Sequence, residues 1–169
     1  MPAVGVHVRT SVHVTARSYT YLVNEINRVF LEAVISGGLD PSEYASQQQT
    51  IEAGLRTWMT LRQLEGAFLE IYDPQTNAVR TRIDLEVDFR DSGDDSEYRT
   101  DIERVRGELG KGGRFAGCKY RVLVSTVPGA ANVSGWTPSQ LGSVDHLTRY
   151  DIGEVIGAPR AGASMSIFR

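Results

Sequence analysis

Cysteine, histidine and tryptophan are scarce in this 169-residue chain: one, three and two residues respectively. With Cys118 alone, neither an intrachain disulfide nor a cysteine-rich metal site is possible. His7, His13 and His146 do not pair at helical ligand spacing, so no metal centre and no cofactor is expected. No apolar run approaches the roughly 18 residues of a membrane span, and "MPAVGVHVRT" is not a basic-then-apolar leader. A cytoplasmic protein without a membrane partner is the expectation. The formal charge of −3 lacks the basic excess of a nucleic-acid binder. There is no G-x-S-x-G nucleophile elbow, no internal repeat and no long low-complexity segment. The signals of an enzyme are absent.

Hydropathy patterning is what the chain does carry. Val4 to Val14 alternates apolar and polar residues with a break of phase near Thr10 and Ser11, predicting a short strand or a mobile arm. From Thr15 the period changes. Tyr19, Leu22, Val23, Ile26, Val29, Phe30, Ala33 and Val34 form one broad helical stripe, ended by Gly37-Gly38. "DPSE" at 40–43 reads as a helix start, with Asp40 as acceptor for free backbone N–H groups. Two helical pieces, or one bent helix, are expected over 41–64, interrupted at "SQQQ".

Strict alternation then marks a strand. Val79, Thr81, Ile83, Leu85, Val87 and Phe89 face one way, and Arg80, Arg82, Asp84, Glu86, Asp88 and Arg90 the other. With "AFLEIY" and the turn residues "DPQTN", this predicts an antiparallel hairpin over 66–73 and 78–90. Tyr98, Ile102, Val105 and Leu109 predict a third helix, and "CKYRVLVSTV" a further strand. Residues 128–169 hold six glycines and three of the six prolines, and read as a loosely patterned tail.

"GELGKGGRFAGCKY" tests for a phosphate loop and fails. Such a loop follows a strand and opens a helix, whereas here a helix precedes the glycines and a strand follows. Gly107, Gly110 and Lys111 miss the spacing, so a helix end and connector is the reading. The acids Asp88, Asp91, Asp94, Asp95 and Glu97 lack the positions of a calcium loop and read as a solvated loop. Cys118 reads as a small hydrophobe on a strand, and Trp58 as core. Trp136, in "VSGWTPSQ", is either an anchor for the tail or part of a ligand groove. Val4, Val6 and Val8 are either an edge strand or a partner-binding arm.

The order is arm, long helix, second helical region, hairpin, third helix, strand and weakly patterned tail. That order resembles a HORMA domain, and "SVHVTARSYTYLVNEINRVFLEAV" resembles the first helix of the small bacterial HORMA proteins. The resemblance implies one α+β domain, its helices packed on an antiparallel sheet: arm 1–12, core 13–127, and a safety-belt-like tail 128–169. It also implies a belt that wraps a closure-motif peptide, or a paralogous HORMA protein, added as a strand to the sheet. The implied partners are a cGAS/DncV-like nucleotidyltransferase of anti-phage CBASS-type operons and an AAA+ ATPase remodeller pulling on the arm. On that basis Tyr120, Val122, Val124, Thr126 and Trp136 are the expected peptide-binding residues, and Val4, Val6 and Val8 the remodeller-engaging ones. A non-catalytic conformational switch is the leading reading. A structural assembly subunit of a phage or secretion-type particle is the alternative.

Overall fold

A computed structural model describes residues 2–92 and 97–169, with side chains from residue 13 onward. Asp94 and Asp95 of the acidic run lie outside the described residues, and Glu97 is exposed, as a solvated loop requires.

The apolar stripe does what its period requires. Helix α1 runs over Pro2–Ser36, and Leu22, Val23, Ile26, Val29, Phe30 and Val34 are fully buried along it. Each such side chain contributes about 1.5–3 kcal/mol by leaving water. Gly38, at φ +73°, ends the helix. Its N–H reaches the Ile35 carbonyl and the Leu39 N–H the Val34 carbonyl, which satisfies two orphan acceptors. The segment 4–14 is helical, not the strand or mobile arm its alternation predicts. Once a long amphipathic helix is nucleated, adding turns at its N-terminus costs little. The phase break at Thr10 and Ser11 also denies the alternation a length worth pairing. The boundary expected after residue 12 therefore falls inside α1.

Helix α2, Ser42–Thr60, is one uninterrupted element. The "SQQQ" run does not break it, because polar side chains on the outer face cost a helix nothing. Asp40 Oδ1 accepts from the Ser42 N–H at 2.9 Å, as the sequence predicts. Strands β1 (Leu64–Tyr72) and β2 (Val79–Phe89) form the expected hairpin. Strand β3 (Arg99–Thr100) and helix α3 (Ile102–Gly110) follow. Tyr98 thus stands before α3 rather than in it. Asp101 takes the cap position, accepting from the Arg104 N–H, and Tyr98 meets Tyr21 of α1 edge-to-face at 5.4 Å. The glycine-rich stretch is a connector, with Gly113 and Gly117 at positive φ and the Phe115 N–H on the Gly37 carbonyl.

Strand β4 spans Lys119–Thr126. The tail then departs from its expected lack of long elements: β5 (Arg149–Ala158) and β6 (Ala161–Phe168) form a hairpin inside the sheet. The strand order is β3-β5-β6-β2-β1-β4, and every pairing is antiparallel. The chain leaves β4 at one edge and rejoins the sheet beyond β2. Residues 127–148, called the belt below, bridge that distance. Helices α1, α2 and α3 cover one face, and no described helix is long and apolar enough to cross a membrane.

Candidate functional site

An edge strand presents unpaired backbone donors and acceptors, and proteins usually blunt or cover it. β4 is such an edge, hydrogen-bonded to β1 on one side only. Alternate residues of an antiparallel strand point their N–H and C=O groups outward. Among the described residues no belt backbone bond reaches those groups. The belt instead stands off from the edge, leaving a groove of about 590 Å³.

The belt is fixed at three places around this groove. At its root the Val127 N–H donates to the Gln63 carbonyl, and the Ala131 N–H to the Gln63 side-chain oxygen at 3.0 Å. Along α2, Trp58 Nε1 donates to the Ala131 carbonyl at 2.8 Å, and Trp136 Nε1 to the Thr50 carbonyl at 2.9 Å. The two indoles meet edge-to-face at 5.1 Å. Gly54 makes this possible, since a Cβ there would collide with the Trp136 ring. A mid-helix glycine costs about 1 kcal/mol of helix propensity, and here it opens a notch for the indole. The third place lies on the sheet face away from the helices. There the Gly142 N–H donates to buried Glu70 Oε2 at 2.8 Å, and His146 Nε2 lies 2.7 Å from the Val79 carbonyl. The belt therefore passes from the helix side, around the β4 edge, to the opposite face.

Register tells which side chains a strand laid along β4 would meet. Val122 and Val124 pair with Leu69 and Ala67, whose side chains are in the core, so they face the helices. Leu123 and Arg121 pair with Phe68 and Glu70 and face the other way. Of the residues expected to bind peptide, Val122, Val124, Thr126 and Trp136 line the groove. Trp136 is both anchor and groove wall. Tyr120 is not brought there. Its side chain turns into the core, its hydroxyl donates to the Asp40 carbonyl at 2.7 Å and accepts from the Tyr44 N–H at 2.8 Å, and burial pushes its phenol pKa up. It ties β4 to the start of α2. Val4, Val6 and Val8 lie in the first turns of α1, away from β4 in sequence and in a helix rather than an extended arm.

Sequence reasoning missed Trp58, Gly54, Gln63, Glu70 and Gly142 as parts of the site. The one signal was Gly54, a glycine in an amphipathic helix four residues before a tryptophan. Among the described residues no three His, Cys, Asp or Glu side chains converge as a metal would need. Among the described residues, Arg121 is the only charged side chain lining the groove.

A family model described as Bacterial HORMA domain 2 matches residues 7–169. No curated protein matches. Solved structures share the fold. One is a chain of a mitotic checkpoint complex, 12% identical, with a TM-score of 0.67, covering 86% of this chain and 97% of that one. Another is C. elegans HTP-2 bound to the HIM-3 closure motif, 12% identical at TM-score 0.70, covering 91% and 90%. HTP-2 bound to HTP-3 motif-6 is likewise 12% identical, at TM-score 0.69 over 91% and 90%.

Proposed function

This chain belongs to the bacterial HORMA domain family, and on that premise we propose that it captures an extended peptide as an added strand on β4, beneath the belt. The observation that carries the reading is the unpaired β4 edge enclosed, with a groove left open, by a belt anchored on both faces of the sheet. Backbone hydrogen bonds to β4 supply affinity, and the alternating environments of Val122 and Val124 against Arg121 and Leu123 supply selectivity. HTP-2, which shares the fold, is bound to closure motifs of HIM-3 and HTP-3, which supports a peptide as occupant.

The same reading makes the chain a non-catalytic, cytoplasmic switch. Its peptide-loaded form activates a cGAS/DncV-like nucleotidyltransferase in anti-phage defence. An AAA+ ATPase remodeller engages the N-terminal turns around Val4, Val6 and Val8 and resets the belt. The peptide is a closure motif of a partner or of a paralogous HORMA protein.

Random-peptide display on the purified full chain tests the capture step. Enriched peptides are then resynthesised with single backbone N-methyl groups. Binding lost at every second position is the expected result, because only alternate N–H groups of an added strand face β4. Uniform tolerance of N-methylation, or no enrichment, overturns it. Activation is tested by adding chain and peptide to the nucleotidyltransferase of the same operon. Product that forms without the chain sinks that step alone.

A further inference from the structure

Three charged side chains stand in one row across the sheet. Glu70 of β1 is paired in register with Arg82 of β2 on one side and with Arg121 of β4 on the other. All three point away from the helices, onto the face whose alternation reads as wet. Yet Glu70 is fully buried, and Arg82 is only 7% exposed. Glu86 and Asp88, further along the same strand face, are exposed. What sets the row apart is the belt, which crosses it at Gly142.

Both polar groups around Gly142 are engaged there. Its N–H donates to Glu70 Oε2 at 2.8 Å, and Arg82 Nη1 lies 3.5 Å from its carbonyl oxygen. Neither side chain is free to drift. Arg121 Nε holds Glu70 Oε1 at 2.9 Å, and Arg82 is held by both carboxylate oxygens of Asp84 at 2.7 and 3.1 Å. The Arg82 guanidinium also lies over Phe168, 4.7 Å from its centroid. Residue 142 has to be glycine for a steric reason. A Cβ would sit 2.5 Å from Val79 Cγ2 and 3.1 Å from Glu70 Oε2.

We propose that Glu70 and Arg82 are positioning residues that latch the belt by gripping the backbone at Gly142, and so set how long a captured peptide stays. The inference rests on the capture reading for its purpose, though not for its geometry. A charged latch suits a part that must open. A carboxylate and a guanidinium tolerate burial only while partnered, and opening returns them to water, which solvates them. An apolar latch of equal strength would leave an exposed hydrophobic patch in the open form. Arg121 links the two functions, because it lines the groove while holding the latch carboxylate.

The test uses the full chain, first with no peptide. Glu70→Gln and Gly142→Ala are compared with the native chain by amide hydrogen exchange. The expected result is at least tenfold faster exchange across residues 137–147, with α1 between Leu22 and Val34 unchanged. Unchanged belt exchange in both variants overturns the latch. If Glu70→Gln loosens α1 as well, Gly142→Ala, which leaves every charge in place, decides. With a selected peptide, the dissociation rate then rises at least tenfold in either variant while the association rate holds within about twofold. A faster association with unchanged dissociation counts against the latch. Failure to find any peptide removes the capture reading and leaves the exchange result standing, so the two can fall separately.

Discussion

On the helix side of the sheet, Leu22, Ile26, Phe30 and Leu55 are wholly enclosed by aliphatic and aromatic neighbours. Around the β4 edge the belt is held by two indoles meeting at a glycine notch, one glutamine, one histidine, and one glycine between two charged side chains. Its Ala130 and Val133 are only partly buried against the core. The first kind of closure is dense, cooperative and indifferent to any partner. The second consists of few, directional, separable contacts, most of them hydrogen bonds whose groups water can solvate on opening. Stability across a structure is uneven, and parts that move are drawn from its weaker end. The difference teaches where this domain can open without unfolding.

The sharpest way to break the comparison is at the core. Phe30→Ala removes a fully buried ring from the centre of α1. A loss of about 3–5 kcal/mol is expected by denaturant titration, enough to unfold a domain of ordinary stability. Belt and helices should then melt in one transition. A belt that keeps its protection while α1 melts would mean that the belt folds independently.

Alkali also acts on the helix side. Tyr44 is buried, with its hydroxyl donating to Asn27 and its N–H bound to Tyr120, and burial pushes its phenol pKa well above the usual value. The phenols of Tyr19, Tyr21 and Tyr120 are raised too, again chiefly by burial. Unfolded phenols lose their protons near pH 10, while the folded chain keeps them. The folded state then binds more protons, so stability is full below about pH 10 and falls above it. Tyr44 alone should remove about 1.4 kcal/mol per pH unit in that range. Tyr44→Phe should flatten the alkaline limb of a melting-temperature profile, and an unchanged limb would refute this origin.

Trp136→Ala acts on the other region. It loses an indole hydrogen bond and an edge-to-face contact with Trp58. The free energy of belt opening should fall by about 2 kcal/mol in hydrogen exchange, with peptide affinity reduced at least tenfold. α1 exchange should stay as it is. A uniform rise in exchange over both regions would show that the belt is part of the core after all.

The same division governs what the sequence disclosed. Helix α1 from Thr15 onward and the β1–β2 hairpin were legible because period-3.6 and period-2 patterns report one buried face directly. The β5–β6 hairpin was harder, though Ala163, Met165 and Ile167 alternate with Ser164 and Ser166. Small and hydroxyl residues beside glycines give that alternation little hydropathy contrast. Val122, Val124, Thr126 and Trp136 could be placed at the groove because a strand and an isolated tryptophan frame it. Tyr120 shares their parity, but one-dimensional parity does not reveal that its hydroxyl is claimed by Asp40 and Tyr44. Glu70 and Arg82 were invisible as site residues, since only the path of residues 127–148 turns a wet face into a covered one.

The smallest expected effect compares two glycines. Gly38 ends α1 at φ +73°, and the nearest atoms to a Cβ there belong to the end of the flexible Arg114 side chain. Its requirement is conformational: a left-handed backbone costs an L-residue about 1–2 kcal/mol. Gly142 has no positive φ, and its requirement is space beside Val79 and Glu70. Gly38→Ala should therefore lower global stability by about 1–2 kcal/mol and leave belt exchange relative to α1 unchanged. Gly142→Ala should do the reverse, freeing the belt with little change in melting temperature. If both variants move both observables together, helix-side and belt-side closure form one cooperative unit, and peptide release would require the domain to unfold.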